Sequence, residues 1–148
     1  MTLKQTIFSG LKEAMLNKDE VRRSTLRLLR AAIQNEEIAR LKELDDEDVI
    51  SIVNRQIKQR RDSISAFRLG NRTDLVQREN AELDILLEFV PPQMTAEEIA
   101  LLTRQIIQDL NASGPQDKGK VMGKLMPQVR GKADGAIVSS VVSELLGG

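Results

Sequence analysis

Aliphatic residues return every three or four positions along nearly the whole chain, and no segment alternates strictly between apolar and polar. That spacing builds one apolar stripe per helix and cannot build a half-buried strand, so it predicts an all-α fold. Leu3, Ile7, Leu11, Ala14 and Met15 mark a first helix. After a break near Lys18, Asp19 is an expected N-cap for a second helix reaching about Leu41. Asp45 and Asp46 cap a third, whose seam holds Ile50, Val53, Ile57, Ile64 and Phe67 and which ends at Gly70-Asn71. A fourth runs from about Thr73 to Phe89. Pro91-Pro92 cannot continue a helix, and Thr95-Ala-Glu-Glu98 reads as a capping box that opens the next one. The domain boundary is therefore expected there, with a four-helix N-terminal domain over 1–92 and a three-helix C-terminal domain over 93–148. Within the latter, a fifth helix stops at Ser113-Gly114-Pro115. The sixth starts near Asp117 and should kink or end at Pro127, and the seventh runs from about Asp134 to Leu146.

Missing residue types narrow the chemistry. Without Cys there is no disulfide, thiol nucleophile or thiolate metal site, and without His the commonest general base and metal ligand are gone. Serine–histidine and cysteine–histidine catalysis and histidine metal sites are excluded together, and no catalytic residue, cofactor or metal is expected. Phe8, Phe67 and Phe89 are the only rings, so the core must be aliphatic and no Trp or Tyr platform exists for stacking single-stranded bases. No apolar run approaches about 18 residues and the N-terminus has no signal-like apolar stretch, so neither a membrane span nor a leader is expected and the chain reads as cytoplasmic. Lys and Arg balance Asp and Glu at 22 each, leaving no whole-molecule field towards nucleic acid, and DNA is not an expected partner.

Local charge is less even. Residues 21–30, VRRSTLRLLR, hold four arginines and no acid, and Arg23, Arg27 and Arg30 share one helix face. NRQIKQRR at 54–61 holds four more bases. Such stripes can track a phosphate backbone; the alternative is a solvated or acid-paired face, with EIARLKELDDED close by in sequence. Arg60 occupies a seam position where a hydrophobe belongs, and Glu79 falls within the apolar stripe of the fourth helix. A structural Arg60–Glu79 ion pair across the helix hairpin is the expected resolution, with Glu82, at the edge of the same stripe, as the next candidate. The segment DKGKVMGKLMPQVRGKADG, 117–135, carries five bases against two acids. Gly119 and Gly123 lie four apart and could admit a second backbone, Gly131 suits a helix C-cap and Asp134 an N-cap. The spacing is not that of a phosphate-binding loop. A packing motif and a basic surface for RNA are both compatible with it.

Three stretches, NRQIKQRRDSISAF, NRTDLVQRENAELDIL with the FVPPQM that follows, and GKVMGKLMPQVRGKADG with its hydrophobic last helix, resemble the GatB/YqeY family. The likeness covers nearly the whole chain and is closest to freestanding YqeY-like proteins. The fold it implies is similar to the tail domain of the B subunit of transfer-RNA-dependent amidotransferases, which convert mischarged Glu- or Asp-tRNA. The resemblance implies tRNA contact by the tail. The carbon–nitrogen ligase activity with glutamine as amide donor belongs to the whole complex, whose phosphate loop and Ser-Ser-Lys amidase signature this chain lacks.

The sequence thus points to a non-catalytic tRNA- or RNA-binding module. Lys118, Lys120, Lys124, Arg130 and Lys132 are its expected contacts, and Arg23, Arg27 and Arg30 form a second patch. The alternatives are an adaptor docking on an amidotransferase or translation complex and, more weakly, amidotransferase-type activity of its own. Limited proteolysis should cut first within Val90–Met94 or Ser113–Lys120, where Pro and Gly leave backbone outside helices. First cleavage inside 49–67 would place the boundary elsewhere.

Overall fold

The computed structural model describes residues 1–147. Among these the secondary structure is helical throughout, with seven α-helices and no strand. The helices are α1 (Leu3–Leu16), α2 (Glu20–Arg40), α3 (Asp46–Leu69), α4 (Thr73–Leu87), α5 (Ala96–Leu110), α6 (Lys118–Val129) and α7 (Gly135–Leu145). A single 3-10 turn, Pro115–Asp117, precedes α6. The chain divides into two compact units, Met1–Val90 and a second that begins at Pro91.

Short polar residues set the helix starts. Thr2 and Gln5 form a capping box on α1, Asp45 and Asp48 one on α3, and Thr95 and Glu98 one on α5. Asp19 accepts the Arg22 N–H at the head of α2. Asp46 is the first residue of α3, and its carboxylate accepts the Leu3 N–H at 2.9 Å, stapling the start of α1 to that of α3. In the N-terminal unit α1 and α2 form one hairpin, and α3 and α4 another around Asn71, whose φ of 56° gives the turn its left-handed step. Ile7, Leu11, Leu26, Leu29, Ile33, Val49, Val53, Ile57 and Leu86 meet in the core, each almost wholly buried. Fully burying one such side chain contributes roughly 1.5–3 kcal/mol.

In the C-terminal unit α5 packs on α6 and α7, and the core is again aliphatic: Ile99, Ile106, Val121, Leu125, Val129, Val138, Val142 and Leu146. The sequence places a kink or an end of α6 at Pro127; the helix runs through that proline and ends two residues further, at Val129. Proline withdraws one N–H, from the carbonyl of Gly123 four residues earlier. Gly123 is exposed, so water can serve that carbonyl, and the buried Val129 draws the last turn onto the core.

Two charged clusters fasten the N-terminal unit. Glu37 Oε2 accepts from Lys4 Nζ at 2.7 Å and from the Leu44 N–H at 3.0 Å, tying α1 to the end of α2 and to the connection into α3. The Lys4 hydrogen bond first, and the Leu44 N–H second, hold the Glu37 carboxyl below its ordinary value of 4.5. In the α3–α4 hairpin, Arg60 Nη1 donates to Glu82 Oε2 at 2.8 Å, and Glu79 Oε2 lies 3.2 Å from the same nitrogen. Arg78 reaches the other Glu82 oxygen at 3.3 Å. The structure thus brings Arg60 and Glu79 together, but the hydrogen bond of Arg60 goes to Glu82, which is itself buried. Glu79 Oε2 is enclosed and accepts no hydrogen bond. Proximity supplies its attraction, while the donor geometry belongs to Glu82.

A carboxylate whose folded-state pKa is depressed adds stability that is complete above its unfolded value and is lost as pH falls through the folded one. The share of Glu37 should therefore be full above 4.5 and fade below it. Urea midpoints measured from about pH 6 down to about pH 3 should show a shallower acid limb in Glu37→Gln than in wild type. Arg60→Met leaves two enclosed carboxylates without their shared cation and should cost roughly 3–5 kcal/mol, whereas Glu79→Gln, which removes no hydrogen bond, should change stability by less than about 1 kcal/mol. Equal losses for the two variants in urea unfolding would refute the division of labour between Glu79 and Glu82.

Candidate nucleic-acid interface

Helix α6 buries Val121, Leu125 and Val129, four residues apart, and so turns its opposite side outward. On that side Lys120, Lys124 and Gln128 form one exposed row and Gly119, Gly123 and Pro127 another. A Cβ built at Gly119 or Gly123 meets nothing within 4 Å, so neither glycine serves close packing inside the described residues. The close backbone approach allowed by the sequence is not used among the described residues.

Lys118 differs from its neighbours. It is partly buried, and its Nζ donates to Ser143 Oγ on α7 at 2.6 Å, so it braces the head of α6 against the last helix. Nothing in the local sequence marks Ser143 for this task, because the pairing depends on how α6 and α7 pack. The start of α6 is further fixed by the Ser113 N–H, which donates to Asp117 Oδ2 at 2.9 Å.

The connection from α6 to α7 carries the remaining two bases. Arg130 is the C-cap residue, Gly131 follows with φ of 79°, and the Lys132 N–H donates back to the Val129 carbonyl at 2.9 Å. Residues just after the Pro91-Pro92 pair hold this connection from outside. The Met94 N–H donates to the Lys132 carbonyl at 2.8 Å, and Gln93 Nε2 donates to the Gly131 carbonyl at 3.1 Å. Asp134 then accepts the Ala136 N–H at 2.9 Å and caps α7. Arg130 and Lys132 thus project, exposed, from a pinned backbone. Lys120, Lys124, Arg130 and Lys132 make no ion pair among the described residues. All four are exposed, so each is accessible to anionic oxygens.

The other arginines foreseen as contacts belong to the N-terminal unit. Arg27 is exposed on α2, and Arg23 and Arg30 are half-buried beside it. None of the three makes an ion pair among the described residues, whereas their neighbour Arg22 is bound to Glu88 at 2.6 Å. Among the described residues no group of three or more acidic side chains is arranged to hold a metal ion.

Comparison with known proteins bears on this arrangement. The family model described as Yqey-like protein matches residues 4–146. A Kluyveromyces lactis protein named "Altered inheritance of mitochondria protein 41, mitochondrial" is 36% identical over 90% of this chain and 77% of its own length. Its namesake from Pyrenophora tritici-repentis is 33% identical over 94% of this chain and 78% of its own, and that from Saccharomyces cerevisiae strain YJM789 is 28% identical over 90% and 78%. Their names place these relatives in mitochondria, which overturns the cytoplasmic expectation. That expectation rested on the lack of an apolar leader or span. No helix among the described residues is long and apolar enough to cross a membrane, but this property bears on membrane crossing and not on compartment. With the match extending over almost its full length, the chain belongs to the YqeY-like family.

Proposed function

We propose that this chain is a non-catalytic RNA-binding module whose C-terminal unit holds structured RNA, tRNA above all, by its backbone phosphates. The observation that supports this reading is the set of four exposed, unpaired cations on α6 and the pinned α6–α7 connection. Phosphate contacts position a protein without reading sequence, and they need charge on a fixed surface more than they need a pocket. The C-terminal unit contains no aromatic residue at all, so it has no ring on which to stack an unpaired base. A duplex or a folded RNA, which presents closely spaced phosphates, suits such a surface better than a flexible single strand. Lys118, engaged by Ser143, acts as a brace in this scheme, and the contacts fall to Lys120, Lys124, Arg130 and Lys132.

Titration of labelled tRNA at low and at physiological salt tests the reading. Wild type should bind weakly and lose affinity steeply as salt rises, and replacing Lys120, Lys124 and Lys132 with Glu should abolish binding while the helical circular dichroism spectrum is unchanged. Equal binding by the triple variant, or none by wild type at low salt, would remove RNA from this surface.

A further inference from the structure

The outward face of α2 combines features that phosphate binding does not require. Leu28 is 56% exposed and Ile38 72% exposed, with the exposed Ala31 between them. At about 100° per residue, Arg30, Arg23 and Arg27 lie along one edge of this face, Ile38 and Ala31 along its middle and Leu28 at the other edge. The stripe from Arg23 to Ile38 is about 22 Å long at the α-helical rise. The Leu29 and Ile33 side of α2 is already spent on the core, so this second apolar line is surplus to folding.

We propose that this face docks an acidic amphipathic helix of a partner protein, with its aliphatic side chains against Leu28, Ala31 and Ile38 and its carboxylates against Arg23, Arg27 and Arg30. Charge complementarity selects the occupant. The three arginines have no acidic partner among the described residues, and residues 21–35 contain no acid at all. A second copy seated symmetrically on the same face would set arginines against arginines, which disfavours self-association here. RNA would satisfy the arginines but would gain nothing from two exposed branched aliphatics, and α2 contains no aromatic to stack a base. A membrane would need a deeper apolar face than these few residues offer. Helix-in-groove recognition uses this mixture of aliphatic anchors and flanking charge. The inference stands apart from the RNA reading, because its residues all lie on α2.

The test uses the full chain and a synthetic helical peptide with leucines along one face and glutamates beside them. Two controls accompany it, a scrambled peptide and one with lysines in place of the glutamates. Amide shifts should centre on residues 23–38. Leu28→Glu, a change at an exposed position, should weaken binding by about tenfold or more, as should Arg27→Glu combined with Arg30→Glu, and added salt should weaken it further. Shifts centred elsewhere would overturn the proposal, as would equal binding of either control peptide or unchanged binding by Leu28→Glu. So would tRNA, phosphatidylserine vesicles or a dimer of the chain occupying α2 while the acidic peptide does not.

Discussion

Among the described residues, eight hydrophobic side chains form the buried core of the C-terminal unit, and every one is Ile, Val or Leu. Nearly everything else about the molecule depends on that choice. An aromatic residue covers a large area from a single position, so a chain with only three must recruit many smaller side chains at regular intervals. Three and four residues is the interval at which a helix can offer them all to one side. The same economy holds in the N-terminal unit, where Phe8 and Phe89 pack against the core from its margin and the centre is aliphatic. Branched side chains have few rotamers, which lets such a core be dense without rings.

Buried Thr25 and Thr103 donate their hydroxyl hydrogen bonds to carbonyls of their own helices, whereas charged groups tie one helix to another. Glu37 gathers Lys4 and the Leu44 N–H, and Asp46 takes up the Leu3 N–H, so the open end of the α1–α2 hairpin is closed by charge and hydrogen bonding. In the α3–α4 hairpin, Arg60 and Glu82 sit beyond Ile57 and Ile85, near the limit of the main core. A hydrophobic surface tolerates sliding by a turn, whereas a buried ion pair has one good register. Here Arg60 of α3 reaches both Glu79 and Glu82 of α4.

Those parts of the structure that depend on local spacing are legible in the sequence alone. The Thr95–Glu98 box, the Asp19, Asp45 and Asp134 caps and the stop at Gly70-Asn71 each depend on residues within four positions. The left-handed Gly131 after α6 is equally visible. Contacts between distant segments are not. Lys118 looked like one more free cation until α7 supplied Ser143, and Arg60 had two carboxylates within reach whose order depended on hairpin geometry. The rule for Pro127 places the helix end to within a turn, and the buried Val129 sets the last helical residue. The exposed line of Leu28 and Ile38 is not legible there either, since periodicity identifies apolar residues without saying which of two faces is buried. Compartment left no trace in the folded domain at all.

The open space around Gly119 and Gly123 bears on how firmly α6 holds its shape. Each glycine lowers intrinsic helicity by about 1 kcal/mol relative to alanine, and Pro127 removes a hydrogen bond from the same short helix. As an isolated peptide this segment would be largely unstructured. It is helical because Val121, Leu125 and Val129 are gripped from one side, with Lys118 tethered to Ser143 at its head. The row of Lys120 and Lys124 therefore rides on the element of the unit with the least stability of its own. Openings that let amide hydrogens exchange should be most frequent there. Any ligand that engages that row in its helical arrangement also tightens the helix that displays it, so recognition and local order rise together.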